Sequence, residues 1–283
     1  MDVSAPRTRR RSDGSPSARA LLFTLLGEYV RYAGEERVWS STIIEALAAF
    51  GIDESATRRT ITRVAHDGWL TTESVGRYTQ LVLTARMVGL LRSWTERLTR
   101  ATTDTPWHGE WQFLLLRLAN EHRPIRGVVE ERLTFEGFGT LGRGVWIAAD
   151  AGGKQAVRES LEDLGVADRA TWMVTRVEWP EERTLIEQAW DLAAIRPLHE
   201  HFVSRFDKVE PASDEDAFVA RTRMVHEWRL TFNADPRLPS CFLPPDWPGR
   251  RATELFIHNW LRWHEAAEAW WQKLAEPRAP KSR

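Results

Sequence analysis

Two stretches decide how this chain reads. The first is Gly51-Ile-Asp-Glu-Ser-Ala-Thr-Arg-Arg-Thr-Ile-Thr-Arg-Val-Ala-His-Asp-Gly-Trp-Leu70, and the second is Val75-Gly-Arg-Tyr-Thr-Gln-Leu-Val-Leu-Thr84. Gly51 supplies a turn and Asp53 caps an expected helix over about Glu54–Asp67. Ala56, Ile61, Val64 and Ala65 fall on one face of it. Ser55, Arg58, Arg59, Thr62, Arg63 and His66 share the other, at helical spacing. Gly68 stops the helix, and strands Leu70–Ser74 and Tyr78–Thr84 flank Gly76-Arg77. An arginine-studded helix followed by a glycine-tipped hairpin is the sequence form of a winged helix-turn-helix, a DNA-reading module.

The arginines suit that chemistry. A guanidinium donates two parallel bonds to guanine O6 and N7, or pairs with phosphate. Residues in the first two turns of a recognition helix reach base edges, which places Arg58 and Arg59 there with Ser55 beside them. Arg63 is a turn further on and suits phosphate, and Thr62 can reach either. Arg77 and Tyr78 at the wing are expected on the backbone or in the minor groove.

Working outward, Leu21, Leu22, Leu25, Leu26, Tyr29 and Val30 predict a helix over Ala18–Ala33, ended by Gly34. Ser40 or Ser41 should cap a second helix through Phe50, and Thr84 the helix after the hairpin. That later helix carries a stripe of Met87, Leu90, Leu91, Trp94 and Leu98, which fits packing within the chain or a dimer interface. The domains expected are a basic tail at 1–17, a winged helix at 18–85, a linker helix at 86–106, a ferredoxin-like domain at 107–180 and a helical region at 181–283. The tail is rich in Arg, Ser and Pro and reads as disordered, with a basic arm to DNA as the alternative. The fold class is thus α+β and multidomain.

In the central part, Trp111-Gln-Phe-Leu-Leu-Leu116 suits a buried strand and Pro124–Leu133 a helix. A turn-rich passage at Gly137–Gly144 leads to the strand Val145–Ala148, then the helix Lys154–Leu164 and the strand Ala170–Trp179. This β-α-β-β-α-β order suggests a ferredoxin-like sandwich. Beyond Glu181 the chain reads as helices broken at Pro197, Pro211, Pro236–Pro239 and Pro244–Pro248.

Composition narrows the classes. With 283 residues, 42% hydrophobic, the chain can build packed cores. Net charge is −1, but residues 1–100 carry 15 basic against 11 acidic side chains and the remainder 24 against 29. A basic head on an acidic body fits a DNA-binding regulator. Cys241 is the only cysteine, which excludes an internal disulfide and a Cys-based zinc finger. No apolar run is long enough for a membrane span and no signal-like segment is evident, so a cytoplasmic protein is expected.

No P-loop, dinucleotide glycine motif or nucleophile elbow is present, and no catalytic residue or metal ligand is expected. His199 and His201 point about 200° apart on a helix. Neither His226 nor the pair His258 and His264 completes a zinc spacing. The carboxy-terminal half is rich in tryptophan, and aromatic walls suit a flat acyl ligand while arginines suit phosphates. His226, Trp228 and Arg229 form the local cluster expected at such a ligand, with filling of helix interfaces as the competing role of the tryptophans.

Four segments resemble the PaaX family of bacterial repressors. They are Leu26-Gly-Glu-Tyr-Val-Arg31, Ala56–Leu70, Gly137-Phe-Gly-Thr-Leu-Gly-Arg-Gly-Val-Trp-Ile147 and Leu243-Pro-Pro-Asp-Trp-Pro-Gly-Arg-Arg-Ala252. The resemblance implies a winged helix, a central domain like the CRISPR-associated Cas2 fold and a helical carboxy-terminal domain. It implies a homodimer on double-stranded operator DNA, with no cofactor, released by an aryl-acyl-CoA such as phenylacetyl-CoA. Thr57 and Arg59 stand where small or apolar residues are commoner in relatives, which points to a different operator. The alternatives are a regulator of another catabolic operon with a different CoA thioester or aromatic acid as ligand, a Cas2-like metal-dependent nuclease, and an interaction scaffold. The nuclease would need an acidic residue after the first central strand, where Arg117 stands.

Overall fold

The structure, a computed structural model, describes residues 15–102, 107–149, 152–177 and 181–275. Most of the basic tail, the polar linker at 103–106 and Trp179 lie outside the described residues. Ser17 opens α1 (Ala18–Leu25) by accepting a hydrogen bond from the Ala20 N–H at 3.3 Å. The single helix expected to Ala33 changes pattern midway: Leu26–Arg31 is π-helical, and Gly34, at φ +83°, follows it. This run is buried on every side, through Leu21, Leu22, Phe23, Leu25, Leu26, Tyr29 and Val30. A helix apolar all round belongs at the centre of its unit.

Next come β1 (Arg37–Trp39), α2 (Ser40–Ala48), α3 (Glu54–His66), β2 (Leu70–Val75) and β3 (Tyr78–Leu83). The strands form an antiparallel sheet in the order β1-β3-β2. At three residues β1 is too short to show a period of two, and sequence pattern missed it. It also shifts the start of α2. Trp39 is paired with Gln80 and stays extended, so it takes the cap position, and Ser40 becomes the first helical residue. Thr84 accepts from the Met87 N–H at 3.3 Å and starts α4 (Ala85–Thr102). The α4 stripe packs within the chain: Met87, Leu90, Leu91 and Trp94 are buried, with Trp94 6.4 Å from the Phe23 ring.

The central segment runs β4 (Trp111–Leu116), α5 (Arg123–Phe135), β5 (Gly139–Gly142), β6 (Val145–Ala148), α6 (Lys154–Asp163) and β7 (Ala170–Thr175). Its antiparallel sheet has the order β5-β6-β4-β7, the ferredoxin-like topology. One sheet face buries Leu114, Leu116 and Trp146 against Val129 and Leu133 of α5 and Val157 and Leu161 of α6. The other buries Trp111 and Ile147 against Ile186 of α7 (Glu181–Ala189) and against Leu238.

The rest is α8 (Leu192–Phe206), α9 (Asp214–Ala234), α10 (Gly249–Arg262) and α11 (His264–Ala275). Pro197, expected to break a helix, lies inside α8. It removes one bond to a carbonyl near the helix start, while Ile195 and Phe202 keep the helix packed. By contacts these helices divide between two compact units. Residues 98–204 and 230–253 belong to the unit of the central sheet, and 205–229 with 254 onward to that of the amino-terminal head. Among the described residues no helix is long and apolar enough to cross a membrane.

Candidate nucleic-acid interface

The arginine face of α3 is built from its start. Asp53 accepts the Ala56 N–H at 2.8 Å and the Ser55 hydroxyl at 2.8 Å. These bonds, the backbone one foremost, hold its carboxyl below the usual range, and its negative charge sits at the positive end of the helix. Ser55, Arg58, Arg59, Thr62, Arg63 and His66 are all exposed, while Ile61 and Val64 are buried. Arg58 reaches back to Glu54, Nε to Oε1 at 2.8 Å, and Arg59 donates to the Ser55 Oγ at 2.9 Å. Both contacts are exposed i, i+4 pairs, worth a few tenths of a kcal/mol and readily exchanged for another anion. No acidic side chain pairs with Arg63 among the described residues.

Thr57 does not share this face. It is fully buried, and its Oγ1 has no hydrogen-bond partner among the described residues. Its departure from the family pattern therefore bears on the core, and only Arg59 of the two stands where a ligand could be read.

The hairpin places Arg77 at its exposed tip. Gly76, at φ +61°, takes the first turn position, where a side chain would be strained. The Arg77 guanidinium lies 5.4 Å from the Tyr78 ring, which meets Trp39 of β1 edge-on at 6.0 Å. Arg37 of β1 pairs with Glu73 of β2 across β3.

The far end of α3 is held by residues that sequence reading missed. Asp67 caps the helix and binds Arg19 of α1 at 2.7 Å, which holds its carboxyl below the ordinary range. Arg86 of α4 donates to the Asp67 carbonyl at 3.0 Å and lies 3.9 Å over the Trp69 ring. Two cations at a helix carboxy terminus are favourable. No spacing rule brings residues 19 and 86 to residue 67.

The expected ligand cluster lies in the same unit, on α9. His226 and Trp228 are buried, and Trp228 stacks on Phe256 at 4.9 Å. Arg229 donates to the Thr24 Oγ1 at 3.0 Å, and its guanidinium lies 3.3 Å from the centre of the Trp94 ring. His226 Nδ1 is 3.5 Å from the same hydroxyl. Arg229 is only partly exposed and its Nε has no partner, and burial pulls its pKa down to about 9. No carboxylate pairs with it among the described residues.

One turn away on α9, Arg221 binds Glu28 of the π-helical segment at 2.7 Å. Glu28 also accepts the Trp260 indole N–H at 2.7 Å. Arg221 can only donate, so His264 Nδ1, 2.5 Å from it, accepts.

In the central unit, Arg117 is exposed just after β4, and its backbone N–H donates to the Arg169 carbonyl at 3.1 Å. His199 is buried with Nε2 2.7 Å from Asp235, whereas His201 is exposed. Among the described residues no group of three His, Cys, Asp or Glu side chains is set to hold a metal ion.

A basic helix face beside a glycine-tipped hairpin, joined to a ferredoxin-like domain, defines a class of multidomain DNA-directed regulators. Three family models match in sequence order. PaaX-like protein matches residues 17–87, the PaaX protein central Cas2-like domain 104–186 and the PaaX-like protein C-terminal domain 190–273. The transcriptional repressor PaaX of Escherichia coli strain K12 is 26% identical over 272 residues, covering 92% of this chain and 84% of that one. A solved structure of an uncharacterised protein from Mycobacterium tuberculosis matches with a TM-score of 0.60 at 25% identity, over 90% of this chain and 99% of that one. The chain belongs to the PaaX family, and its central domain is Cas2-like.

Proposed function

We propose that this chain is a ligand-responsive repressor whose amino-terminal head is a winged helix, with α3 lying in the DNA major groove. The observation that carries the reading is the common exposed face of Ser55, Arg58, Arg59, Thr62 and Arg63, next to a hairpin tipped by Arg77. Arg58 and Arg59 read bases, Arg63 grips phosphate, and Arg77 with Tyr78 follows the backbone beside them. The name of the Escherichia coli relative supports repression as the outcome. Two copies bind the half-sites of a two-fold operator.

An aryl-acyl-CoA, such as phenylacetyl-CoA, is the effector. Arg229 supports an anionic ligand, because its cation lacks a carboxylate partner and lies against an aromatic ring beside His226 and Trp228. Arg229 touches Thr24 of α1, and α1 also holds the end of α3 through Arg19. A ligand that prefers one arrangement of this cluster shifts the population of heads able to bind DNA. The second reading keeps the repressor and changes the effector to another CoA thioester or aromatic acid. A metal-dependent nuclease is disfavoured by the cation of Arg117 at the end of β4.

The test is fluorescence anisotropy on the DNA upstream of the protein's own gene, with and without phenylacetyl-CoA, beside Arg58→Ala and Arg229→Gln. Tight binding that needs Arg58 and is released by the thioester supports the whole reading. Release that persists in Arg229→Gln removes Arg229 from the effector site. An absence of specific binding, on this and on neighbouring promoters, overturns the DNA-reading role.

A further inference from the structure

The two edges of the central sheet are treated differently. At one edge, β5 is four residues long and irregular between Thr140 and Gly142. The end of α7 covers it: a Cβ on Gly139 would stand 2.5 Å from the Trp190 ring and 2.7 Å from the Ala189 carbonyl. Short length, irregularity and a covering helix are the usual ways to blunt an edge.

The other edge, β7, has none of these. It pairs regularly with β4 over Ala170–Thr175, and no described strand pairs its outer side. Its sequence Ala-Thr-Trp-Met-Val-Thr lacks charge, proline and lysine. Met173 is 43% and Val174 51% exposed. An uncharged, β-prone and exposed edge is a template for another strand.

The charges flanking this edge indicate which strand. Asp168 precedes β7 and Arg176 follows it, each four residues from Trp172, and their side chains are 70% and 74% exposed. Antiparallel pairing of β7 with its own copy, centred on Trp172, sets Asp168 of each copy opposite Arg176 of the other. Met173 then faces Thr171 and Val174 faces Ala170. A parallel pairing in register would instead set like charges together. An antiparallel self-pairing is isologous and closes as a two-fold dimer.

We infer that β7 pairs with the β7 of a second copy of this chain, joining two four-stranded sheets into one eight-stranded sheet. The inference rests on the two-fold reading above and assigns it a surface.

Sedimentation velocity on the full chain over a concentration series tests it. Wild type sediments as a dimer, and Val174→Lys or Met173→Lys as a monomer with an unchanged circular dichroism spectrum. Asp168→Arg places like charges at both ends of the pairing and weakens self-association by about tenfold or more. The double change Asp168→Arg with Arg176→Asp restores it. A dimer indifferent to the lysine variants and to the charge reversal overturns the β7 surface and leaves the dimer itself standing. A monomeric wild type overturns both. If a lysine variant fails to fold, the charge pair decides, because both of its residues are exposed. Loss of the dimer in the lysine variants without any response to the charge changes overturns the two-fold register.

Discussion

Arg221 of α9 donates to Glu28 of the π-helical segment at 2.7 Å, and both are almost wholly buried. This pair ties the amino-terminal helix of the head to a helix nearly two hundred residues later in the chain. Removing one member leaves a buried charge alone, so Arg221→Met should cost about 3–5 kcal/mol. The pair Glu28→Gln with Arg221→Met should recover most of that loss. Urea unfolding of the four proteins measures the difference, and a double variant no better than Arg221→Met would show that packing, not charge, sets the cost.

Glu28 also sets a pH dependence. Burial raises its pKa above the ordinary 4.5, an effect only partly offset by Arg221. The folded state therefore holds this proton more tightly than the unfolded chain. The stabilising contribution is complete below pH 4.5 and is lost as pH rises through the folded pKa. Glu28→Gln removes this term, so the stability of the variant relative to wild type should climb with pH above 4.5. Unfolding midpoints of both proteins between pH 4 and 7 provide the check.

Thr57 buries a hydroxyl without a partner. Thr57→Val keeps the shape and removes the desolvated oxygen, which should stabilise the protein by about 1 kcal/mol. Operator affinity should not change, because the residue faces the core. A rise in urea midpoint with unchanged anisotropy binding is the expected result.

Arg58 and Arg63 should lose DNA binding in different ways. Arg58→Ala should cost ~1–3 kcal/mol on the cognate site and relax the preference at one base position. Arg63→Ala should weaken all sequences alike and lower the salt slope by about one. Titrations on the operator and on scrambled DNA at several salt concentrations separate the two.

Gly144 allows the close approach of two strands. It sits at φ +78°, and a Cβ there would stand 2.2 Å from the Leu116 carbonyl oxygen. Gly142 has φ +83° and open space. Gly142→Ala should cost about 1–2 kcal/mol from backbone strain alone. Gly144→Ala should cost more, because β6 must also move away from β4. Thermal unfolding of the two variants should rank them in that order.

The elements that pattern revealed are those with enough length to repeat. The two faces of α3 were legible because thirteen residues cover several turns and the glycines at 51 and 68 mark its ends. The β-α-β-β-α-β order was legible because each central element alternates cleanly with turn residues. The strand β1 was not, since three residues carry no period. The π-helical turn was also hidden, because Leu26–Arg31 has the same apolar spacing as an ordinary helix.

The interface divides in the same way. The exposed face with Arg58, Arg59 and Arg63 follows from local geometry, since positions three and four apart on a helix are neighbours. The residues that steady it, Arg19 and Arg86 around Asp67, are distant in sequence and reach it only through the fold. His226, Trp228 and Arg229 were picked out as a local cluster, but their neighbours Thr24, Trp94 and Phe256 lie on three other helices.

By itself, then, the sequence determined the helices, the hairpin, the ferredoxin-like order and the basic face, because each depends on residues a few positions apart. Only the tertiary structure decided that Glu28 would hold Arg221, that Thr57 would turn inward and that β7 would be the open edge. Those outcomes depend on which distant surfaces meet, and burial and pairing across such distances leave no periodic trace in the chain.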